Sequence, residues 1–146
     1  MKQITEDYCS FEIAKLLKEK GFDEPYCNCY LLLDEGGYTE VEMSDECHQG
    51  ERYDSEDSSW KFGILLLRPT LQFALKWLRE VHNIHISINV GCDVDNKNYI
   101  FYIPTIVKLN NKSVEYIDPF CEDEDEFDSN EQAVEAALLY ALKNLI

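Results

Sequence analysis

The side chains able to do chemistry in this chain fall into three sets. Thiols and imidazoles stand at Cys27-x-Cys29, Cys47-His48 and His82-x-x-His85; oxygen ligands crowd Asp93-Val94-Asp95-Asn96-Lys97-Asn98; and Glu122, Asp123, Glu124, Asp125, Glu126 and Asp128 form a dense acidic run. Zinc takes four Cys or His ligands in a tetrahedron, usually from paired knuckles spaced two to four residues apart. Cys27 and Cys29 sit in a stretch that reads as a strand, where both thiols point to one face, and His82 and His85 straddle a change of hydrophobic period. They are therefore read as small buried or half-buried thiols and surface imidazoles, not as a metal centre. The Asp93 run begins as a calcium loop does, but Lys97 occupies a ligand position and neither the glycine nor the distal glutamate follows, so a hairpin turn is expected. Nucleophilic catalysis would require the Cys47 thiol and the His48 imidazole to meet, whereas sequence neighbours tend to point apart. There is no phosphate-cradling glycine loop, no Gly-x-Ser-x-Gly turn and no His-Glu-x-x-His pair. No catalytic residue, metal or cofactor is expected, and the carboxylates from Glu122 to Asp128 are the candidate interaction surface.

The formal charge of −16 is concentrated in two places. Residues 34–57 carry ten acids and one base, residues 115–135 carry ten acids and no base, and the rest of the chain is slightly basic at +3. Phosphates would be repelled by such segments, which argues against direct nucleic-acid binding. At 146 residues and 45% apolar composition the chain can bury a core within one domain spanning 1–146. No apolar run approaches the roughly 20 residues that span a bilayer, and no export segment is visible near the first residues, so a cytoplasmic protein with reduced cysteines is expected.

The elements that must position these groups are organised around Arg68 to Val90. Leu71, Phe73, Ala74, Trp77, Leu78 and Val81 recur at spacings of three and four, which predicts an amphipathic helix starting at Pro69-Thr70. At His82-Asn83 the period drops to two, and Ile84, Ile86, Ile88 and Val90 predict a strand that must pack on the helix it follows. Upstream, Ser10 caps a helix with Phe11, Ile13, Ala14, Leu16 and Leu17 on its apolar side, stopped at Gly21 with Phe22 folding back. Tyr26 to Leu33 and the residues around Tyr38, Val41 and Met43 predict a hairpin turned at Asp34-Glu35-Gly36-Gly37. Residues 44–59 read as an exposed loop, and Trp60, Phe62 and Ile64 to Leu67 as a return to the core, either a short strand or an extended lead into Pro69. Tyr99 to Leu109 predicts a strand bent or at an edge near Pro104, followed by a short strand at Val114 to Ile117. Residues 118–128 read as a second acidic loop. A capping box of Ser129 and Gln132 then opens a final helix. The fold class expected is α+β, an antiparallel sheet of about four to five strands with three helices largely on one face. Ser10-Phe11-Glu12-Ile13-Ala14 and Thr70-Leu71-Gln72-Phe73-Ala74 also share a pattern that would fit a duplicated helix-strand-strand unit.

The segments Phe11-Glu12-Ile13-Ala14-Lys15-Leu16-Leu17-Lys18-Glu19-Lys20-Gly21-Phe22 and Ala74-Leu75-Lys76-Trp77-Leu78-Arg79-Glu80-Val81-His82-Asn83, with the Glu131 to Ile146 helix, resemble a family of small uncharacterised proteins of gut Bacteroides-type bacteria and their phages or mobile elements. The family has no assigned activity, so the resemblance carries over no catalytic or binding residue. Three functions follow as expectations: a non-enzymatic binding or accessory protein acting through contacts with a protein partner, an acidic nucleic-acid mimic that blocks a basic protein groove, and a small metal-dependent or cysteine enzyme.

Overall fold

The computed structural model describes residues 3–54, 62–96, 98–120 and 126–146. The chain is α+β, as its patterning predicts, with its strands divided between two antiparallel sheets of four and three. It splits into two compact units, Met1–Thr70 and Leu71–Ile146.

In the first unit, α1 (Phe11–Glu19) begins where Ser10 Oγ accepts a hydrogen bond from the Ile13 N–H at 3.3 Å. It ends in two bonds that consume its last carbonyls, Gly21 N–H to Lys18 O at 3.1 Å and Phe22 N–H to Leu17 O at 2.9 Å. That closure holds the residue at position 21 at φ +91°, where a side chain would be strained, and only glycine takes it at little cost. It also tucks Phe22 against the helix, 1% exposed, as expected. Strands β1 (Tyr26–Leu33) and β2 (Tyr38–Cys47) form the anticipated hairpin, and β3 (Arg52–Asp54) and β4 (Phe62–Leu67) complete a sheet of order β2-β1-β4-β3. Burial is deepest on the inner strands, at Leu31, Leu65, Leu66 and Leu67, with Ala14 of α1 packed on Tyr30 and Leu66. Gly63 is required by proximity: a Cβ there would lie 2.0 Å from the Leu32 carbonyl oxygen of the neighbouring strand.

The loop expected at 44–59 is not what residues 44–54 form. β2 runs on to Cys47, a turn follows, and Arg52–Asp54 pair with β4; residues 55–61 lie outside the described part of the chain. The reason is long-range and polar. Gln49 donates from Nε2 to Phe22 O at 3.1 Å, accepts at Oε1 from Leu67 N–H at 3.0 Å, and donates its backbone N–H to Asp23 Oδ1 at 2.8 Å. A hydrophilic stretch is thus ordered by hydrogen bonds that apolar periodicity does not register.

In the second unit, α2 (Leu71–His82) hands over to β5 (Ile84–Cys92) through Asn83 alone, which takes φ +55°, a left-handed conformation that asparagine tolerates. β6 (Ile100–Asn110) lies between β5 and β7 (Ser113–Ile117), and α3 (Asn130–Asn144) packs with α2 on β5 and β6. Ser129 caps α3 by accepting from Gln132 N–H at 3.1 Å, while Gln132 Oε1 accepts in return from Asp128 N–H, one residue earlier than a capping box requires. Leu71, Ala74, Trp77 and Leu78 are buried as expected, but Val81 is 53% exposed. On β5 burial fades away from Asn83: Ile84 is fully buried, Ile86 and Ile88 are half-buried, and Val90 is 67% exposed. The helices shield only the end of the strand nearest the turn. Pro104, expected at a bend or edge, lies in the central strand opposite Ile88 of β5. Because the Leu109 N–H points toward Asn83 and the Tyr102 N–H toward Phe127, the even positions of β6 direct their donors away from β5. The donor that proline lacks would point into the gap between the Tyr102–Phe127 bridge and the end of β7 at Ile117, so no ladder bond is lost.

Candidate interaction surface

Of the acidic candidates, Glu122, Asp123, Glu124 and Asp125 lie outside the described residues. Glu126 is half-buried and Asp128 exposed, and they flank Phe127, whose backbone exchanges two hydrogen bonds with Tyr102 at 2.9 and 3.0 Å. The Phe127 ring meets Phe120 edge-on, and Phe120 in turn meets Tyr140 of α3. Two aromatic side chains within an acidic run therefore pin its flanks, a signal that counting charge passes over. Several carboxylates of the first acidic segment, 34–57, are engaged internally. Asp34, at the hairpin tip, takes a two-pronged contact from Arg52 on β3, whose Nε also reaches Asp54 at 3.1 Å. The Arg52 guanidinium holds the Asp34 carboxyl below the usual carboxylate range. Glu40 on β2 pairs with Arg68 at 3.3 Å, and the Arg68 guanidinium also lies over the rings of Tyr8 and Tyr30.

Cys27, Cys29 and Cys47 lie near one another on β1 and β2, while His82 and His85 belong to the second unit. Cys9, Cys29 and Cys47 are buried, Cys27 is half-buried and Cys92 is exposed, all as free thiols. Burial, followed by the neighbouring Cys47, Cys27 and Glu51, pushes Cys29 up to about 12, and burial likewise raises Cys47. A thiol so shifted is protonated at neutral pH and is a poor nucleophile. His48 turns outward toward Asp23, 3.5 Å away, so Cys47 and His48 diverge. His82 closes α2 against the Trp77 ring with its Nε2 buried and unpartnered, and burial, then Lys108, lowers its pKa. Among the described residues no three Cys, His, Asp or Glu side chains gather as a metal site would need. The Asp93 run is a hairpin turn between β5 and β6: Asp93 Oδ1 accepts from the N–H groups of Asp95 and Asn96 at 2.8 and 3.3 Å.

The feature not anticipated from sequence is the second face of the three-stranded sheet. Register places the even residues of β6 toward the helices: Ile106 is fully buried, Pro104 is buried, and Lys108 Nζ donates to Leu145 O at 3.1 Å. The odd residues share the opposite face, and the pairs Val107–Tyr116 and Leu109–Val114 extend it onto β7. Phe101, Ile103, Val107, Leu109, Val114 and Tyr116 thus lie on a face, interrupted by Thr105, that neither α2 nor α3 covers, with Phe101, Ile103 and Val107 half-buried. Its margin is well exposed, Tyr116 to 76%, Val114 to 53% and Leu109 to 38%. On the β5 side the Phe101 ring lies over Gly91, where a Cβ would come within 2.5 Å of it, and Asn89 bonds Thr105 at 2.7 Å. The signal was present in the near-continuous apolar run Ile100 to Val107, which is what a strand apolar on both faces looks like.

Comparison with protein-family models, curated proteins and solved structures found no match to this chain. No helix among the described residues is long and apolar enough to cross a membrane.

Proposed function

We propose that this is a non-enzymatic binding or accessory protein acting through protein contacts, in the cytoplasm of a bacterium and in the service of a phage or mobile element. The observation that carries the reading is the apolar face of β6 and β7. Apolar side chains left open on a sheet face, as Tyr116, Val114 and Leu109 are here, favour cover by a partner, and aromatic residues such as Tyr116 are the usual anchors of protein interfaces. The setting is supported by the resemblance of the α1, α2 and α3 segments to proteins of Bacteroides-type bacteria. A protonated, buried Cys29 and a His48 turned away from Cys47 supply no activated nucleophile. The acidic-mimic alternative would use carboxylates of residues 34–57 and 115–135, Glu122 to Asp128 among them, on one face; no geometry of the described residues favours it over the apolar face.

The test is an affinity purification from the native cells with the wild type and a Val114→Glu/Tyr116→Lys variant, both checked for fold by circular dichroism. A partner retained by the wild type and lost by the variant is expected. An identical set of captured proteins from both would overturn the reading.

A further inference from the structure

A groove of about 360 Å³ opens in the first unit between α1 and the sheet, lined by Phe11, Lys15, Lys18, Glu19, Leu32 and Leu66. We infer that it is a binding site for a small amphipathic anion, a carboxylate carrying an unbranched apolar chain of the medium-chain fatty-acid class.

The groove follows from helix geometry. Phe11, Lys15 and Lys18 are spaced four and three apart, so one stripe of α1 presents a ring followed by two ammonium groups. Its floor is apolar: Leu66 is 1% exposed within the core, and Phe11 and Leu32 pack partly buried against Ala14, Tyr30 and Leu66. Phe11 is held in place by its neighbours, stacked on Tyr38 at 3.9 Å between ring centroids and edge-on to Tyr30 at 5.3 Å. Tyr30 is fixed in turn by its hydroxyl, which donates to Cys9 O at 2.8 Å. The aromatic wall is therefore preformed. A cavity of this volume suits a small ligand, lined as such sites are by apolar surface with a few polar groups at the mouth.

Charge selects the sign of the ligand. Neither Lys15 nor Lys18 has an acidic partner within 4 Å among the described residues, although the chain has 29 acids for 13 bases. Lys15 Nζ stands 5.6 Å from the Phe11 ring centroid, over the apolar wall, where a carboxylate entering chain-first would leave its head group. Among the described lining residues Glu19 is the one acid, against Lys15 and Lys18, which leaves them a net positive charge in an otherwise acidic protein.

Titration with sodium decanoate below its micelle-forming concentration, followed by amide NMR, tests the assignment. Saturable shifts centred on Phe11, Leu32 and Leu66 are expected. Decyltrimethylammonium, with the same chain and opposite charge, should not produce them. Lys15→Gln/Lys18→Gln should weaken decanoate about five- to tenfold, the scale of two solvent-facing ion pairs. Lys76→Gln/Lys112→Gln, which makes the same change in net charge elsewhere, should leave binding unchanged. Absence of saturable shifts, equal binding of the cationic amphiphile, or equal weakening by both double variants would each overturn the proposal.

Discussion

Removing the Trp77 side chain should destabilise the second unit more than any other single truncation on α2. Trp77 is 5% exposed and meets His82 edge-on at 4.7 Å between ring centroids. Burial of a large aromatic removes about 150–250 Å² from water, so at about 25 cal/mol per Å² the transfer contribution alone is near 4–6 kcal/mol, an upper estimate because the unfolded chain is not fully extended. Truncations of this kind cost about 3–5 kcal/mol in practice, and about 4 kcal/mol is expected for Trp77→Ala. With a urea slope of about 2 kcal/mol per M, the midpoint should fall by about 2 M, read by far-UV circular dichroism so that loss of the fluorophore does not matter. Trp77→Phe, which keeps a ring in the site, should fall by about a third as much. A midpoint lowered by less than about 0.5 M with an unchanged slope would show that Trp77 does not seal the contact of α2 with its sheet.

Three further outcomes follow from the same geometry. His82 titrates below its usual value of about 6.5 when folded because its ring is buried, so the unfolded chain binds the extra proton first. Stability should drop as pH falls below about 6.5 and level off once the folded ring also protonates, and in paired urea titrations from pH 7.5 to 5 His82→Phe should show a shallower drop; identical profiles would refute the assignment. In the native protein, iodoacetamide with peptide mapping should modify exposed Cys92 first and buried Cys9, Cys29 and Cys47 only on unfolding, and Cys29 labelled as fast as Cys92 would contradict its burial and its pKa near 12. Gly63→Ala should cost about 2 kcal/mol or more, measured by thermal melting, because its methyl group meets the Leu32 carbonyl in the middle of the sheet; a melting temperature within a degree of wild type would show that β1 and β4 separate at no cost.

What the sequence by itself determined is the identity of most elements and their ends. Ser10 and Ser129 carry the oxygens that satisfy helix N-termini, Gly21 and Asn83 accept the left-handed backbone that ends a helix, and the switch from three-and-four spacing to alternation at Asn83 marks where α2 becomes β5. These are local interactions, complete within a few residues, so they are legible one stretch at a time. Tertiary structure decided what depends on partners far along the chain. Gln49 ordered a hydrophilic stretch by bonding Phe22 and Leu67, and Arg52 and Arg68 drew Asp34, Asp54 and Glu40 of the acidic segment into ion pairs. The strands went to two sheets, not one, because each strand's apolar residues record that a face is buried without recording which strand lies beside it. For the same reason the apolar run in β6 could be read as a strand, while only the register with β5 and β7 and the position of α2 and α3 separated its buried face from the one the helices leave uncovered.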